Sequence, residues 1–113
     1  MPIKLIALVV ITAIVATFGV AVSYGATKKL SGTVGPGMSI SVTRSKVGHG
    51  KYKITVHDKS SEHNFHLTGP GVNKKTTVAE VGTRTWTVTL KKGTYKFVCD
   101  PHSDTMNGSF KVT

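Results

Sequence analysis

Arg84-Thr85-Trp86-Thr87-Val88-Thr89-Leu90-Lys91-Lys92-Gly93-Thr94-Tyr95-Lys96-Phe97-Val98-Cys99 is the stretch that decides the fold. Apolar side chains occupy alternate positions, first Trp86, Val88 and Leu90, then Tyr95, Phe97 and Cys99. Neighbouring side chains of an extended strand point to opposite faces, so each run offers one face to a core and one to water. Lys91-Lys92-Gly93 between them reads as a hairpin turn. Working outward, Met38–Val42 and Tyr52–Val56 alternate in the same way. Leu30–Val34 stops at Gly35-Pro36-Gly37, His63–Leu67 stops at Thr68-Gly69-Pro70-Gly71, and Ser109–Thr113 closes the chain. Arg44–Gly50 reads as a polar loop, Asp58–Glu62 as a turn, and residues 72–82 show no clear period. About seven short strands separated by turn signals, rich in Thr and Val, predict an all-β antiparallel sandwich.

The N-terminus follows different rules. Lys4 precedes an apolar stretch from Leu5 to Val22, and Ser23-Tyr24-Gly25 puts small residues three and one positions before a cleavage point. Residues 1–25 therefore read as a signal peptide or, if uncleaved, a membrane anchor. Either form places the remainder outside the cytoplasm, in the periplasm or its equivalent. Residues 26–37 read as a short linker and first strand, and 38–113 as one small domain.

The chain has 15 Lys and Arg against five Asp and Glu, a net charge of +10, and loses only Lys4 with the leader. Such a charge favours acidic partners or anionic surfaces. It does not indicate nucleic acid, because no nucleic-acid motif accompanies it and export removes the usual target. Cys99 is the only cysteine, so no intramolecular disulfide staples this small domain. A bound metal is one of the few other sources of stability available to it.

Cys99 opens a segment in which His102 and Met106 follow within eight residues. A thiolate, an imidazole and a thioether are the soft and borderline donors that copper selects. A second imidazole would complete a trigonal His2Cys set with a weak axial sulfur, the electron-transfer arrangement. Glu62-His63-Asn64-Phe65-His66 offers two histidines three apart, which a strand would send to opposite faces. His63 shares its face with the apolar Phe65 and Leu67, which favours it as the inward one; His66 stays the alternative. His49 and His57 have no partner pattern and read as surface residues.

These pieces resemble the small blue copper proteins, the cupredoxins, and most closely the plastocyanin and amicyanin group. The resemblance rests on His63-Asn64, on Gly93-Thr94-Tyr95 with Phe97 and Cys99, on Cys99-Asp100-Pro101-His102, and on Met106 with Gly108, and it spans residues 38–113. It implies a Greek-key sandwich binding one copper ion that cycles between Cu(I) and Cu(II). It implies His63, Cys99 and His102 as equatorial ligands, Met106 as the axial one, and Asn64 as the residue tying the ligand loop to its neighbour. One departure stands out. Ser103-Asp104-Thr105 makes the link from His102 to Met106 shorter than in plastocyanin-like loops and longer than in amicyanin-like ones.

The expected function is one-electron transfer by a type 1 copper centre in an exported, monomeric protein. Electrons would leave through His102, across an apolar rim that includes Pro36, Met38, Pro70 and Pro101 if those loops gather at one end. The net charge predicts redox partners with acidic docking surfaces, and the leader allows membrane attachment. The alternative is a copper carrier or sequestering module with the same ligands and no redox partner. A multicopper enzyme would need His-x-His pairs for further metal ions, and the chain contains none.

Overall fold

The computed structural model describes residues 26–113. The leader expected over residues 1–25 lies outside the described residues. Among those described, no helix is long and apolar enough to cross a membrane.

Among the described residues, nine strands form two facing sheets. One contains β1 (Lys28–Val34), β2 (Ile40–Val42), β4 (Gly50–Asp58) and β7 (Gly82–Leu90), in the order β2-β1-β4-β7. The other contains β3 (Lys46–Val47), β5 (His66–Gly69), β6 (Val72–Lys75), β8 (Gly93–Val98) and β9 (Asn107–Val112), in the order β3-β9-β8-β5-β6. Most pairs are antiparallel, as expected, but β1 runs parallel to β4 and β3 parallel to β9, so both sheets are mixed. Those two pairs join strands distant in sequence, where no tight turn dictates direction.

Alternation builds the core from both sides. In β4, Tyr52, Ile54 and Val56 are buried, and in β7 so are Trp86, Val88 and Leu90; Ile54 stands opposite Trp86 and Tyr52 opposite Val88. The second sheet answers with Leu67, Tyr95, Phe97, Phe110 and Val112. Tyr95 stacks on Phe110 at 5.4 Å and Phe97 on Phe65 at 5.7 Å. Gly108 lies directly across the ladder from Phe97, and a Cβ added there would collide with that ring. The glycine is the notch in which the ring sits.

Several elements differ from the sequence reading. Lys91 and Lys92 do not make a hairpin, because β7 and β8 belong to different sheets. Alternation reports which face of a strand is buried but not which strand pairs with it. The arch between sheets is secured by Tyr95, whose hydroxyl donates to Pro70 O at 2.6 Å and accepts from Lys91 N at 3.0 Å. The strand read over 63–67 starts only at His66, the polar loop contains the two-residue β3, and the undecided stretch contains β6. Met38 is 56% exposed and precedes β2 rather than belonging to it.

Candidate metal centre

At the end of β8 the chain leaves the sheet at Cys99 and enters a single 3-10 turn, Asp100–His102, with Pro101 in its first positions. Pro101 suits that place because a first-turn residue needs no N–H partner. His102 N donates to Cys99 O at 3.0 Å, and Met106 N donates to His102 O at 2.8 Å. Cys99 N then donates to Met106 O at 3.0 Å. That last bond closes residues 99–106 into a ring, which brings Cys99, His102 and Met106 to one place.

His63 arrives from the other side. Turn chemistry delivers it: Ser60 N donates to Asp58 Oδ1 at 3.0 Å and Glu62 N to Ser60 Oγ at 3.1 Å. The first of these is an Asx-type turn that leaves β4 sharply. Gly35, after β1, lies against the His63 ring.

The donor atoms converge. Nδ1 of His63 lies 3.1 Å from Nδ1 of His102, and Sγ of Cys99 lies 3.7 Å from the former and 3.5 Å from the latter. Divalent zinc holds nitrogen at about 2.0 Å and thiolate at about 2.3 Å, which spaces donors around one ion by roughly 3.5 Å. The triangle therefore fits a single metal ion, and its chemistry, two imidazoles and a thiolate, is the copper set. Cys99 and His63 are buried, whereas His102 is only half-buried. Met106 is buried at the loop closure.

Asn64 straps the two halves together. Its Oδ1 accepts from Asp100 N at 2.7 Å, and its Nδ2 donates to Asp100 Oδ2 at 2.7 Å and to Thr76 O at 3.3 Å. Thr76 in turn brackets Phe65, accepting from its N–H through Oγ1 at 2.9 Å and donating its own N–H to Phe65 O at 3.0 Å. The residues on each side of the strap are His63 and Cys99, so both donors inherit its rigidity.

His66 does not join the triangle. Its Nδ1 lies 2.9 Å from Asp100 Oδ1 and its Nε2 2.7 Å from Asn73 Oδ1. Burial raises the Asp100 carboxyl, but hydrogen bonds from His66 and Asn64 outweigh it and hold that carboxyl below its ordinary range. His49 and His57 bond to Thr113 O and Thr83 Oγ1, away from the cluster. Sequence reasoning passed over Asp58, Thr76 and Asp100. Only the polar residue between Cys99 and Pro101 hinted at one of them, and its partners lie far off in sequence. Asp58 is buried beside His63: burial pushes its carboxyl upward, and only part of that is offset by the Ser60 N–H and His63.

The rim is narrower than expected. Pro36 and Met38, in the turn beside Gly35, and Pro101 are exposed at this end. Pro70 is at the opposite end, in the β5–β6 turn against Gly93 and bound by Tyr95. Of the four residues, three gather at this end, on two of the three loops that carry them.

The sequence profile of the copper binding proteins of the plastocyanin/azurin family matches residues 26–113. The chain belongs to that family. It is a small blue copper protein of the cupredoxin type, and its cofactor is one copper ion. No curated protein matches it. Among solved structures it is similar to reduced rusticyanin, with a TM-score of 0.59 and 22% identity over 77% of this chain and 79% of that one. It is similar also to rusticyanin from Thiobacillus ferrooxidans, with a TM-score of 0.57 and 22% identity over 77% of each chain. A chain of a heme-copper terminal oxidase dimer matches with a TM-score of 0.53 and 19% identity, over 81% of this chain and 68% of that one. At these identities the likeness is one of fold.

Proposed function

We propose that this cupredoxin is an exported one-electron carrier rather than an enzyme, with His63, Cys99 and His102 as equatorial copper ligands and Met106 as the axial one. The observation that carries the proposal is the double fastening of the donors. The Cys99–Met106 backbone bond closes the loop, and the Asn64–Asp100 pair joins that loop to the segment bearing His63.

Copper, when bound, supplies a one-electron couple between Cu(I) and Cu(II). The chain's own residues determine how costly that change is. Donors held by backbone and side-chain bonds made elsewhere move little, so a site of this kind favours rapid electron exchange. Burial of Cys99 and His63 keeps water from the metal, and half-exposed His102 gives an edge through which an electron enters and leaves. Exposed Pro36, Met38 and Pro101 around that edge form a small apolar contact suited to brief encounters of a monomer with its redox partners. The carrier alternative fits the fastening less well, since metal handover needs donors that open.

The test is to load residues 26–113 with Cu(II) and record visible and EPR spectra. An intense orange-red absorption band with narrow copper hyperfine splitting is expected. Cys99→Ser should abolish the band and leave a folded β domain by circular dichroism. A colourless protein that binds Cu(I) tightly would replace electron transfer with copper carriage.

A further inference from the structure

The excess positive charge is not where the electron would leave. The strand registers place Lys28 and Lys29 at the start of β1, Lys51 at the start of β4, and Lys91 and Lys92 just after β7. Lys46 joins them through its pairing with Lys111, near the end of β9. All are exposed and all lie at the pole opposite the metal centre. Lys28 also bonds His49 O at 3.3 Å, in the loop entering β4 at the same pole.

The acids show the reverse bias. Asp58 ends β4, Glu62 lies in the turn before His63, and Asp100 and Asp104 belong to the ligand loop. Glu80, which pairs with Arg84, precedes the end of β7 that faces Asp58. All five acids of the chain therefore sit at the copper end, among Lys59, Lys74, Lys75 and Arg84, which they largely balance.

We propose that the lysine pole is a docking surface for an anionic lipid bilayer and that it turns the copper end outward. Two observations select this partner. The pole carries several exposed lysines and no acid, and each lysine at such a surface strengthens binding by about fivefold. The chain also enters the described fold here, at Ala26, separated from the apolar stretch 5–22 by only three residues, so a retained leader would tether this pole and no other.

The distance between poles makes the attraction directional. Nine residues of β4 span about 30 Å at roughly 3.3 Å per residue. That is about three Debye lengths at roughly 0.1 M salt, so acids at the copper end neither cancel the lysines nor compete with them. The proposal does not depend on copper being bound or on electron transfer.

Lysine acetylation footprinting tests it. The full chain is reconstituted with phosphatidylcholine vesicles, with and without phosphatidylglycerol, and each lysine's reactivity is read by mass spectrometry. Several-fold protection of Lys28, Lys29, Lys51, Lys91 and Lys92 is expected only with phosphatidylglycerol. That protection should fade at high salt while Lys59 and Lys75 stay reactive. Lys91→Glu with Lys92→Glu should weaken the protection of Lys28 and Lys51. Equal protection on both vesicle types would mean tethering alone, and protection of Lys59 and Lys75 instead would mean the opposite orientation. Either result overturns the proposal, as would a pole that ignores lipid but is shielded by an acidic protein partner.

Discussion

Among single residues, Asp58 and Met106 make the sharpest demands. Asp58 is 3% exposed, and its Oδ2 has no hydrogen-bond partner among the described residues. With its carboxyl raised by burial, the folded state binds the proton more tightly than the unfolded state does. Its contribution is therefore most favourable below the unfolded pKa, near about 4, and is lost as pH rises through the folded value. Asp58→Asn keeps an acceptor for Ser60 N and removes the buried charge. Denaturant midpoints of the metal-free protein should show the variant more stable than its parent at neutral pH, with no such gain in acid. Met106, buried at the closure of the ligand loop, is the proposed axial donor, and a thioether binds copper weakly in that role. Met106→Leu should keep the colour and change the reduction potential measured by voltammetry; unchanged potential and spectrum would remove Met106 from the ligand set.

At the scale of elements, glycines set against aromatic rings hold the second sheet in register. Phe97 lies between Phe65 at 5.7 Å and Phe110 at 6.4 Å, so it has little room to retreat from a methyl group at position 108. Gly108→Ala should cost about 1–3 kcal/mol by overpacking. Gly37→Ala, whose Cβ would meet open space, should change stability by less than about 0.5 kcal/mol. Chemical denaturation of the pair tests the contrast. Strands long enough to alternate, β4, β7 and β8, were legible in the sequence. The two-residue β3 and four-residue β6 were not, because pairing with distant strands defines them more than their own pattern does. His63 teaches the same lesson at the site. Residues 63–65 are not in a strand, so strand parity is not what turns His63 inward; the Asp58–Ser60 turn and the Asn64 strap do that. Cys99, His102 and Met106 lie within eight residues, so their cluster was visible in the sequence, whereas Asp100 and Thr76 act through contacts that only folding creates.

Residues 26–113 form a small sandwich without a disulfide, the kind of domain in which metal binding is expected to add to folding stability. Any ion that binds the native donors and not the unfolded chain stabilises the fold, by about 4 kcal/mol at a thousand times Kd. In a domain of this size that corresponds to a rise in Tm of roughly 20 °C. Scanning calorimetry with and without copper should show it, and Cys99→Ser should forfeit most of it. A copper-independent Tm would mean the ion is not held in the buried triangle.

The single backbone bond from Cys99 to Met106 carries a consequence for how such a protein can change. Because the segment between them is sealed at its base, the stretch after its strapped Asp100 and its donor His102, Ser103 to Thr105, is a cassette: residues there can be exchanged, or their number altered, while the scaffold still sees the same two anchor points. His63 and its strap form the fixed half of the lock, and the cassette is the key that is recut. Variation in redox tuning is thus expected to accumulate within a handful of positions, leaving the strands that support them free to diverge for other reasons.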